Sequence, residues 1–555
     1  MLIPKLFTTL RGYTRADFQG DLGAGLVVGI VALPLAIAFG IASGASPSAG
    51  ITTAIIGGFL ISALGGSRVQ IGGPTGAFVV IVYGVIERYG MDGLTVATIM
   101  AGVVLVGLGV ARLGAAIKFI PHAVTTGFTS GIAVIIFSSQ VKDFLGLRMS
   151  AVPAEFLAKW ESYSANLGSI NPWAVGLALL ALALIVYWPR VSTRVPSPFL
   201  ALVVCTAVVT FFDLPVETIG DRFGEIHATL DAPRLPRVSW EMARELVAPA
   251  FTIAMLAGIE SLLSAVVADG MIGARHRSNM ELVGQGVANI VTPLFGGIPA
   301  TGAIARTATN VKNGGRTPIA GIIHALTLLL IMLFFGRWAA LIPMAVLAAI
   351  LVVVSYHMSE WRRFKAELRA PRSDVAVLLV TFSLTILVDL TVAVEVGMVL
   401  AAFLFMKRMS EVTNVSVLSR EFEDQADREM TLDRRTGPMI PAGVDVYEID
   451  GPFFFGAAES FKNAVSSVAR KPKALVIRLR RVPVIDSTGL ATLRDLIHRS
   501  RQEGTRVILT EVHSQPVVAL TNAGLLDELG EENVAGSLEE ALAGLREPAE
   551  TVPPA

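Results

Sequence analysis

The chain has a single cysteine, Cys205, among its 555 residues, and that residue lies in an apolar run. No disulfide can therefore form within it. It is also poor in charge. Only 16% of its residues are Asp, Glu, Lys or Arg, against about 25% in an ordinary soluble domain. It lacks clustered Cys and His at metal spacing, a phosphate-cradling P-loop, a glycine-rich dinucleotide motif, and a Ser/His/Asp arrangement in a convincing context. These gaps argue against ATP-driven transport encoded by this chain alone and against a hydrolase. No enzyme activity, cofactor, metal or nucleic-acid partner is expected. No cleavage-like stop separates the polar start (Lys5, Arg11, Arg15, Asp17, Asp21) from the first apolar segment, so no removable leader is expected. What the chain does have is 53% hydrophobic residues and a mean hydropathy of +0.64. A soluble protein of this length would split into several cores and still need a charged surface. The expected class is a polytopic α-helical membrane protein in a lipid bilayer.

Apolar segments follow one another from about Leu22 to Met406. Fourteen are distinguishable: roughly 22–42, 50–66, 74–87, 93–111, 121–140, 172–188, 195–212, 247–268, 279–296, 301–312, 317–336, 338–356, 373–389 and 390–407. Most have the length of a bilayer crossing, about 17–25 residues. The third and the tenth are short and open through Gly72-Gly73-Pro74-Thr75-Gly76 and Gly296-Gly297-Ile298-Pro299-Ala300-Thr301-Gly302. Their separation by seven segments predicts two copies of a seven-helix unit. Interrupted segments at matching places in two halves are the best sequence pointer to a transporter site. Backbone that is not helical at membrane depth must line protein or water. Each half-helix also presents free N–H groups and a positive dipole end, which together suit an anion. The plainer reading is that Gly and Pro only punctuate turns or kinks.

Charge divides the chain. Residues 1–408 hold 29 Lys+Arg and 22 Asp+Glu, and residues 409–555 hold 16 and 23. The formal total of zero is thus the sum of +7 and −7. With the N-terminus inside, the connections carry 19 basic residues on the inner side and 9 on the outer, leaving out Arg306. The positive-inside rule then places both termini in the cytoplasm, with the protein in the cell membrane. The expected organisation is a membrane domain over 1–408, a charged linker over 409–443, a soluble α/β domain over 444–545, and a disordered tail over 546–555. Within the soluble part, Val444–Ile449, Pro452–Phe455, Ala474–Leu479 and Arg506–Leu509 read as strands. Residues 457–468, 488–500, 515–523 and 537–545 read as helices.

Glu260 is the sharpest single residue, in the middle of the eighth segment. A carboxylate at that depth is costly and marks an ion or proton path when it faces a cavity. Ser264, four residues on, shares its helix face and suits a shared cation or hydrogen bond. Asp269 falls on the opposite face at the cytoplasmic end. The plainer reading of Glu260 is a structural carboxylate bonded to a neighbouring helix. Arg306 is the sole basic residue well inside a segment, and either attracts an anion, pairs with Glu260, or positions a helix. Phe39, Thr75 and Thr301 are further candidates for the same cavity. Asp389 and Glu395 read as structural, and His122 as interfacial. In the tail, Asp486-Ser487-Thr488-Gly489 opens a helix. Helix capping is the simplest role there, and phosphorylation of the hydroxyls is the regulatory alternative.

Several stretches carry a family resemblance: Leu33-Pro34-Leu35-Ala36-Ile37-Ala38-Phe39-Gly40, Gly73-Pro74-Thr75-Gly76, Phe119-Ile120-Pro121 with Gly127-Phe128-Thr129-Ser130-Gly131-Ile132, the segment around Glu260, and Asn313-Gly314-Gly315-Arg316-Thr317-Pro318-Ile319-Ala320-Gly321. On them, nearly the whole chain resembles the sulfate-permease (SulP) family of anion transporters. Its tail resembles their STAS domain. The resemblance implies a seven-plus-seven inverted repeat with core and gate domains, an elevator-like motion and a homodimer. It places the anion between the third and tenth helices, at Thr75, Gly76, Ala300, Thr301 and Gly302, with Phe39 on one wall. Arg306 matches a basic position of eukaryotic relatives. Relatives that carry sodium with bicarbonate have Asp at the position of Glu260 and Thr one turn later. Glu260 and Ser264 depart from that pair and favour a proton over sodium. Leu35 stands where many members have Gln. The expected activity is proton-coupled symport of a small anion, either a dicarboxylate such as fumarate or sulfate or bicarbonate. The alternatives are sodium-coupled symport, exchange or a channel, and a membrane sensor or scaffold that signals to a cytoplasmic protein through STAS.

Overall fold

In a computed structural model, the described residues are 2–115, 121–149, 152–153, 155–192, 195–224, 230, 232–236, 239–388, 390–417, 440–466 and 472–545. The linker core, the 546–555 tail, Asp389 and the Phe119-Ile120 pair lie outside them. The chain forms two compact units, Met1–Ala401 and Ala402–Ala555.

The first unit is helical. Its elements are α1 (Arg15–Ala42), α2 (Pro47–Leu64), β1 (Gly72–Gly73), α3 (Val79–Val110), α4 (His122–Leu145), α5 (Phe156–Ala165), α6 (Pro172–Tyr187), α7 (Ser197–Phe212), α8 (Val247–Ile272), α9 (Ser278–Val291), β2 (Thr301–Gly302), α10 (Ile304–Lys312), α11 (Pro318–Ala339), α12 (Met344–Met358), α13 (Arg372–Leu387) and α14 (Leu390–Val412), the last leading out of the unit. Each expected apolar segment coincides with one of these helices. The third and fourth share α3, which breaks at Gly90, where φ is +69°. Among the described residues, eight helices are long and apolar enough to cross a membrane.

Local chemistry explains several boundaries. Thr14 and Asp17 form a reciprocal capping box that starts α1. Thr317 caps α11, with Pro318 at its first position. Buried Asp21 accepts hydrogen bonds from the Arg316 and Thr317 amides (2.7 and 3.1 Å) and from the Thr317 hydroxyl (2.5 Å). The Asn313–Gly321 stretch is thus a polar turn seated on one carboxylate of α1. Tyr13, whose OH donates to Asp21 at 3.1 Å, has its phenol pushed up to about 12 by burial and by that charge.

Helix α1 packs on α11, α2 on α9 and α11, and α3 on α8 and α9. Small residues allow the close approach usual between membrane helices: a Cβ on Gly25 would lie 2.6 Å from the Ala320 carbonyl oxygen. A second cluster joins α4, α6, α7, α12 and α13. The pairings in the first cluster obey a first-with-eighth correspondence of segments. Span one meets span eleven as span eight meets span four, which is the packing two copies of one unit would make.

The second unit is a five-stranded sheet in the order β3–β4–β5–β6–β7. Its strands are β3 (Asn414–Val417), β4 (Val444–Asp450), β5 (Ala474–Arg481), β6 (Arg506–Thr510) and β7 (Val534–Ala535). Strand β3 is antiparallel to β4, and the other pairs are parallel. Helices α15 (Phe455–Ser466), α16 (Ser487–Gln502), α17 (Gln515–Asn522) and α18 (Leu525–Leu529) accompany a core that includes Tyr447, Phe453, Phe461, Leu493 and Leu509. Helix α19 (Leu538–Ala543) packs in a second core with Val446, Val476 and Ile508.

Two expectations need correction. Pro452–Phe455 is not a strand: Phe453 makes a single bridge to Ile485, and α15 begins at Phe455. A proline cannot donate to a ladder, and the four residues have no room to pair further. The charged stretch from 409 is not all linker, because β3 joins the sheet within it. Four residues surrounded by charge give no readable period.

Arg478 of β5 binds Glu511 and lies 3.4 Å from Glu448. The hydrogen bond from Arg478 holds the Glu511 carboxyl below its ordinary value of 4.5. A carboxylate with a depressed pKa stabilises the fold above its unfolded value and loses that contribution as pH falls through the folded one. Protection factors of the β5 and β6 amides in the full-length protein, corrected for the intrinsic exchange rate at each pH, are therefore expected to fall as pH drops below about 4.5. Glu511→Gln should remove much of that acid response, and an identical profile in the variant would refute the assignment.

Candidate functional site

Strands β1 and β2 pair antiparallel inside the first unit, Gly72 opposite Gly302 and Gly73 opposite Thr301. They come from the two interrupted segments, which the sequence separates by more than two hundred residues. Gly73 has φ +149°, a region open to glycine and strained for other residues. A Cβ there would also meet the Arg306 Nη1 at 2.5 Å. After β1, Thr75 leads into a 3₁₀ turn, Gly76–Phe78, that opens α3. After β2, Ala303 leads into α10. No side chain caps either start. Two helix N-termini therefore begin beside one two-stranded crossing with backbone N–H groups left for a ligand.

The crossing is held from behind by polar side chains that bond backbone. Asn289 accepts from the Ala300 amide at 2.9 Å and donates to its carbonyl at 2.8 Å. Thr53 accepts from the Ile298 amide at 2.8 Å and donates to the Ala49 carbonyl at 2.7 Å, in a π-helical turn (Thr53–Gly57) within α2. Gln70 donates to the Ser261 carbonyl at 3.1 Å, Asn310 donates to the Val69 carbonyl at 2.8 Å, and Thr307 accepts from the Ile71 amide at 3.0 Å. Extended backbone in an apolar setting must find such partners. Sequence reading missed these residues. Their one signal was that Asn, Gln and Thr recur in otherwise apolar segments near the two breaks.

Glu260 of α8 is half-buried, and its Oε2 accepts from the Thr75 hydroxyl at 2.8 Å. That bond ties the carboxylate to the start of the α3 half-helix. Phe39, at the end of α1, brings its ring within 3.3 Å of where a Cβ on Gly76 would stand, and Ile136 and Met358 flank the same point. Phe39, Thr75, Gly76 and Glu260 are therefore brought together. Other candidates sit differently. The Thr301 hydroxyl is fully buried and donates to the Ala257 carbonyl at 3.0 Å, and its backbone lies opposite Gly73 in the strand pairing. Ala300 has both backbone polar groups bound to Asn289 and stands behind the crossing. Gly302 supplies the strand pairing.

Ser264 and Arg306 take hydrogen-bond partners other than Glu260. Ser264 makes no hydrogen bond to Glu260 among the described residues. It is fully buried, and its hydroxyl lies 3.3 Å from that of Thr307, because α10 packs against this part of α8. Arg306 makes no ion pair with Glu260 among the described residues. Its side chain, 2% exposed, turns under β1 and donates to the Pro74 carbonyl. Asp269 pairs with His276 at 2.7 Å, and His122 with Glu367 at 2.9 Å. In the second unit Asp486 accepts from the Gly489 amide at 2.8 Å and caps α16, while Ser487 and Thr488 are exposed.

Comparison with known proteins places this arrangement. The model of the sulfate permease family matches residues 18–381. The chain belongs to the sulfate permease family. A STAS domain model matches residues 440–541. Over 525 residues it is 42% identical to the putative sulfate transporter YvdB of Bacillus subtilis, covering 94% of this chain and 97% of that one. Over 539 residues it is 32% identical to the bicarbonate transporter BicA of a Picosynechococcus strain, covering 95% and 94%. Its fold matches the solved SLC26A9 structure with a TM-score of 0.86 at 18% identity, covering 98% and 92%. It matches the transmembrane domain of a cyanobacterial BicA with 0.62 at 31% identity, covering 70% and 97%. This sulfate permease family member is a multi-pass membrane transporter and not an enzyme.

Proposed function

We propose that the protein is a secondary transporter of a small oxyanion, sulfate or bicarbonate, driven by a proton gradient. The carrying observation is the pair of uncapped half-helix starts beside the β1–β2 crossing. Backbone dipoles and N–H groups there attract negative charge without a basic side chain in the cavity. Thr75, Gly76, Thr301 and Gly302 supply that surface, Phe39 forms one wall, and Arg306 adds positive charge from beneath β1. Relatives named for sulfate and for bicarbonate support this substrate class.

Glu260 is the proposed proton carrier. It touches the start of one half-helix through Thr75, so its charge and the anion's are felt together. A bound proton relieves their repulsion, and this couples the two loads. Because Ser264 faces Thr307, Glu260 is left with one hydroxyl neighbour. That poor oxygen set favours a proton over a metal cation, which takes several oxygens. In this reading the fourteen segments all cross the cell membrane, as a seven-plus-seven inverted repeat with both termini cytoplasmic. The α1–α3 and α8–α11 cluster carries the site past the α4–α7 and α12–α14 cluster, in a homodimer. Residues 1–408 are the transport domain, 444–545 the STAS domain, and Ser487 and Thr488 its candidate modification point, with a cytoplasmic protein as the reader.

Purified protein in liposomes tests this. Labelled sulfate, bicarbonate and fumarate are offered under an imposed proton gradient, an imposed sodium gradient, or neither. Accumulation of one anion driven by an acidic outside is expected. Flux without accumulation would indicate a channel or exchanger. No flux of any anion would favour a sensor whose output is the STAS domain. In the same assay, Gly76→Val should cut uptake at least tenfold. The Cβ alone would meet Ile136, Met358 and Phe39 at 3.1–3.3 Å, and the extra methyls must occupy the anion's space. Unchanged uptake by this variant would move the site elsewhere.

A further inference from the structure

A second group of polar side chains lies at the opposite end of the α3 half-helix from Thr75. Hydrogen bonds mark the two ends of the first unit. At the N-terminal end the Lys5 amide binds the Gly65 carbonyl, and the Arg277 amide binds that of Gly66. At the far end Asn171 binds the Pro215 carbonyl, Arg222 binds Asp143 at 2.6 Å, and the Gly220 amide binds the Ala340 carbonyl. Helix α5 connects α4 to α6 at this far end. With cytoplasmic termini, it is the outer side.

Lys159 and Tyr163 lie four residues apart on α5 and so share one face. Both are deeply buried, at 7% and 2% exposure. Trp160 fixes the helix: its Nε1 donates to the Ser138 hydroxyl of α4 at 3.2 Å, and its ring stands edge-on to Phe156 and Tyr163. Among the described residues the Tyr163 hydroxyl is buried with no hydrogen-bond partner, and the Lys159 side chain makes no hydrogen bond or ion pair. The opposing charge that acts on Lys159 is Glu87, and the charge near Tyr163 is Asp143, with the neutral Tyr83 phenol on the same side. Glu87 is exposed. Asp143 is engaged by Arg222. Tyr83 and Glu87 lie on the half-helix that begins at Gly76, so its two ends are about 16 Å apart at 1.5 Å per residue. At the same end, a separate pocket of about 300 Å³ has Lys142, Arg148, Asp143 and Glu217 on its wall.

Buried donors are normally paired, and the Tyr163 hydroxyl is not. Lys159 and Tyr163 lie one turn apart on one fixed face, each with a side-chain donor that no described residue accepts. We infer that Lys159 and Tyr163 form a second anion site at the outer mouth, which takes the same small oxyanion before it reaches the paired half-helices. This rests on the transport reading above and adds to it a separate station on the substrate's path. Tyr163 donates its O–H and Lys159 supplies charge. Glu87, at the rim, discourages a lasting stay and favours passage inward.

The test uses the full-length protein. Lys159 is acylated with a water-soluble succinimidyl ester, and labelling is mapped by mass spectrometry in increasing sulfate or bicarbonate, with gluconate at matched ionic strength. In liposomes, KM and maximal rate are measured from the outer side for wild type, Lys159→Gln, Lys159→Arg and Tyr163→Phe. Several-fold protection of Lys159 by the oxyanion over gluconate is expected. So is an outer KM raised about tenfold in Lys159→Gln with maximal rate retained, the effect of one lost charge-assisted contact. Lys159→Arg should rescue it, and Tyr163→Phe should show a smaller rise. Equal labelling in oxyanion and gluconate, together with an unchanged outer KM in Lys159→Gln, would overturn the inference and reduce Lys159 to a packing role, while uptake by the wild type would leave the transport reading standing. Protection of Lys159 in a protein that moves no anion would do the reverse.

Discussion

Glu260→Gln is expected to abolish gradient-driven accumulation while leaving anion binding measurable. For a one-to-one symport, each pH unit of gradient supplies about 1.4 kcal/mol, a tenfold accumulation. Wild type should follow that slope, and the variant should equilibrate the anion at any imposed gradient. The substitution is conservative in shape. A glutamine carbonyl can still accept the hydrogen bond that the Thr75 hydroxyl donates at 2.8 Å, so the half-helix start keeps its support. What is lost is the group that binds and releases a proton. Uptake as a function of imposed gradient, with anion-induced thermal shift as the binding control, separates the two effects. Full accumulation by the variant would show that the proton, if one moves, is carried elsewhere.

The second large effect is on the fold beneath the site. Asn289→Ala removes the side chain that accepts from the Ala300 amide at 2.9 Å and donates to its carbonyl at 2.8 Å. Asn289 and Ala300 are both fully buried, so no water replaces the lost partner cheaply. Leaving two buried backbone groups unpaired costs about 2–6 kcal/mol at ~1–3 kcal/mol each. That is a large part of a typical stability of about 5–15 kcal/mol. A sharp fall in the thermal midpoint of the detergent-purified protein is expected, with loss of uptake as a consequence. Asn289→Asp keeps an acceptor for the amide, loses the donor, and should fall between. A wild-type midpoint in Asn289→Ala would mean that β2 is held by its strand pairing alone.

Much of this architecture was legible because membrane helices announce themselves by length and hydropathy. Every expected segment coincides with a helix, and the two Gly/Pro-entered segments do meet. The α/β tail was legible for the same kind of reason, since its strands and helices have clear periods. Where the period is too short to read, expectation and structure part. Pro452–Phe455 looked like a strand and is a turn into α15, and β3 hid within a charged stretch. Side-chain direction was the other limit. Ser264 was placed with Glu260 by a helical count of four, yet α10 draws its hydroxyl to Thr307 at 3.3 Å. Arg306 stood out as a charge among apolar residues, but its reach to the Pro74 carbonyl depends on where β1 crosses.

The sequence by itself determined the kind of protein: a low-charge chain of apolar segments with matched breaks, a carboxylate at membrane depth, and an acidic α/β module. These are one-dimensional properties, set by hydropathy, spacing and charge. The tertiary structure alone decided which polar groups stand beside the crossing and which bond the backbone behind it. Asn289, Thr53, Gln70, Asn310 and Thr307 bind backbone behind the crossing, and Thr75 reaches Glu260 across 185 residues of chain. The division has one physical cause. Unpaired backbone in an apolar setting must be satisfied by whatever side chain the packing brings within about 3 Å, and sequence distance carries no information about that.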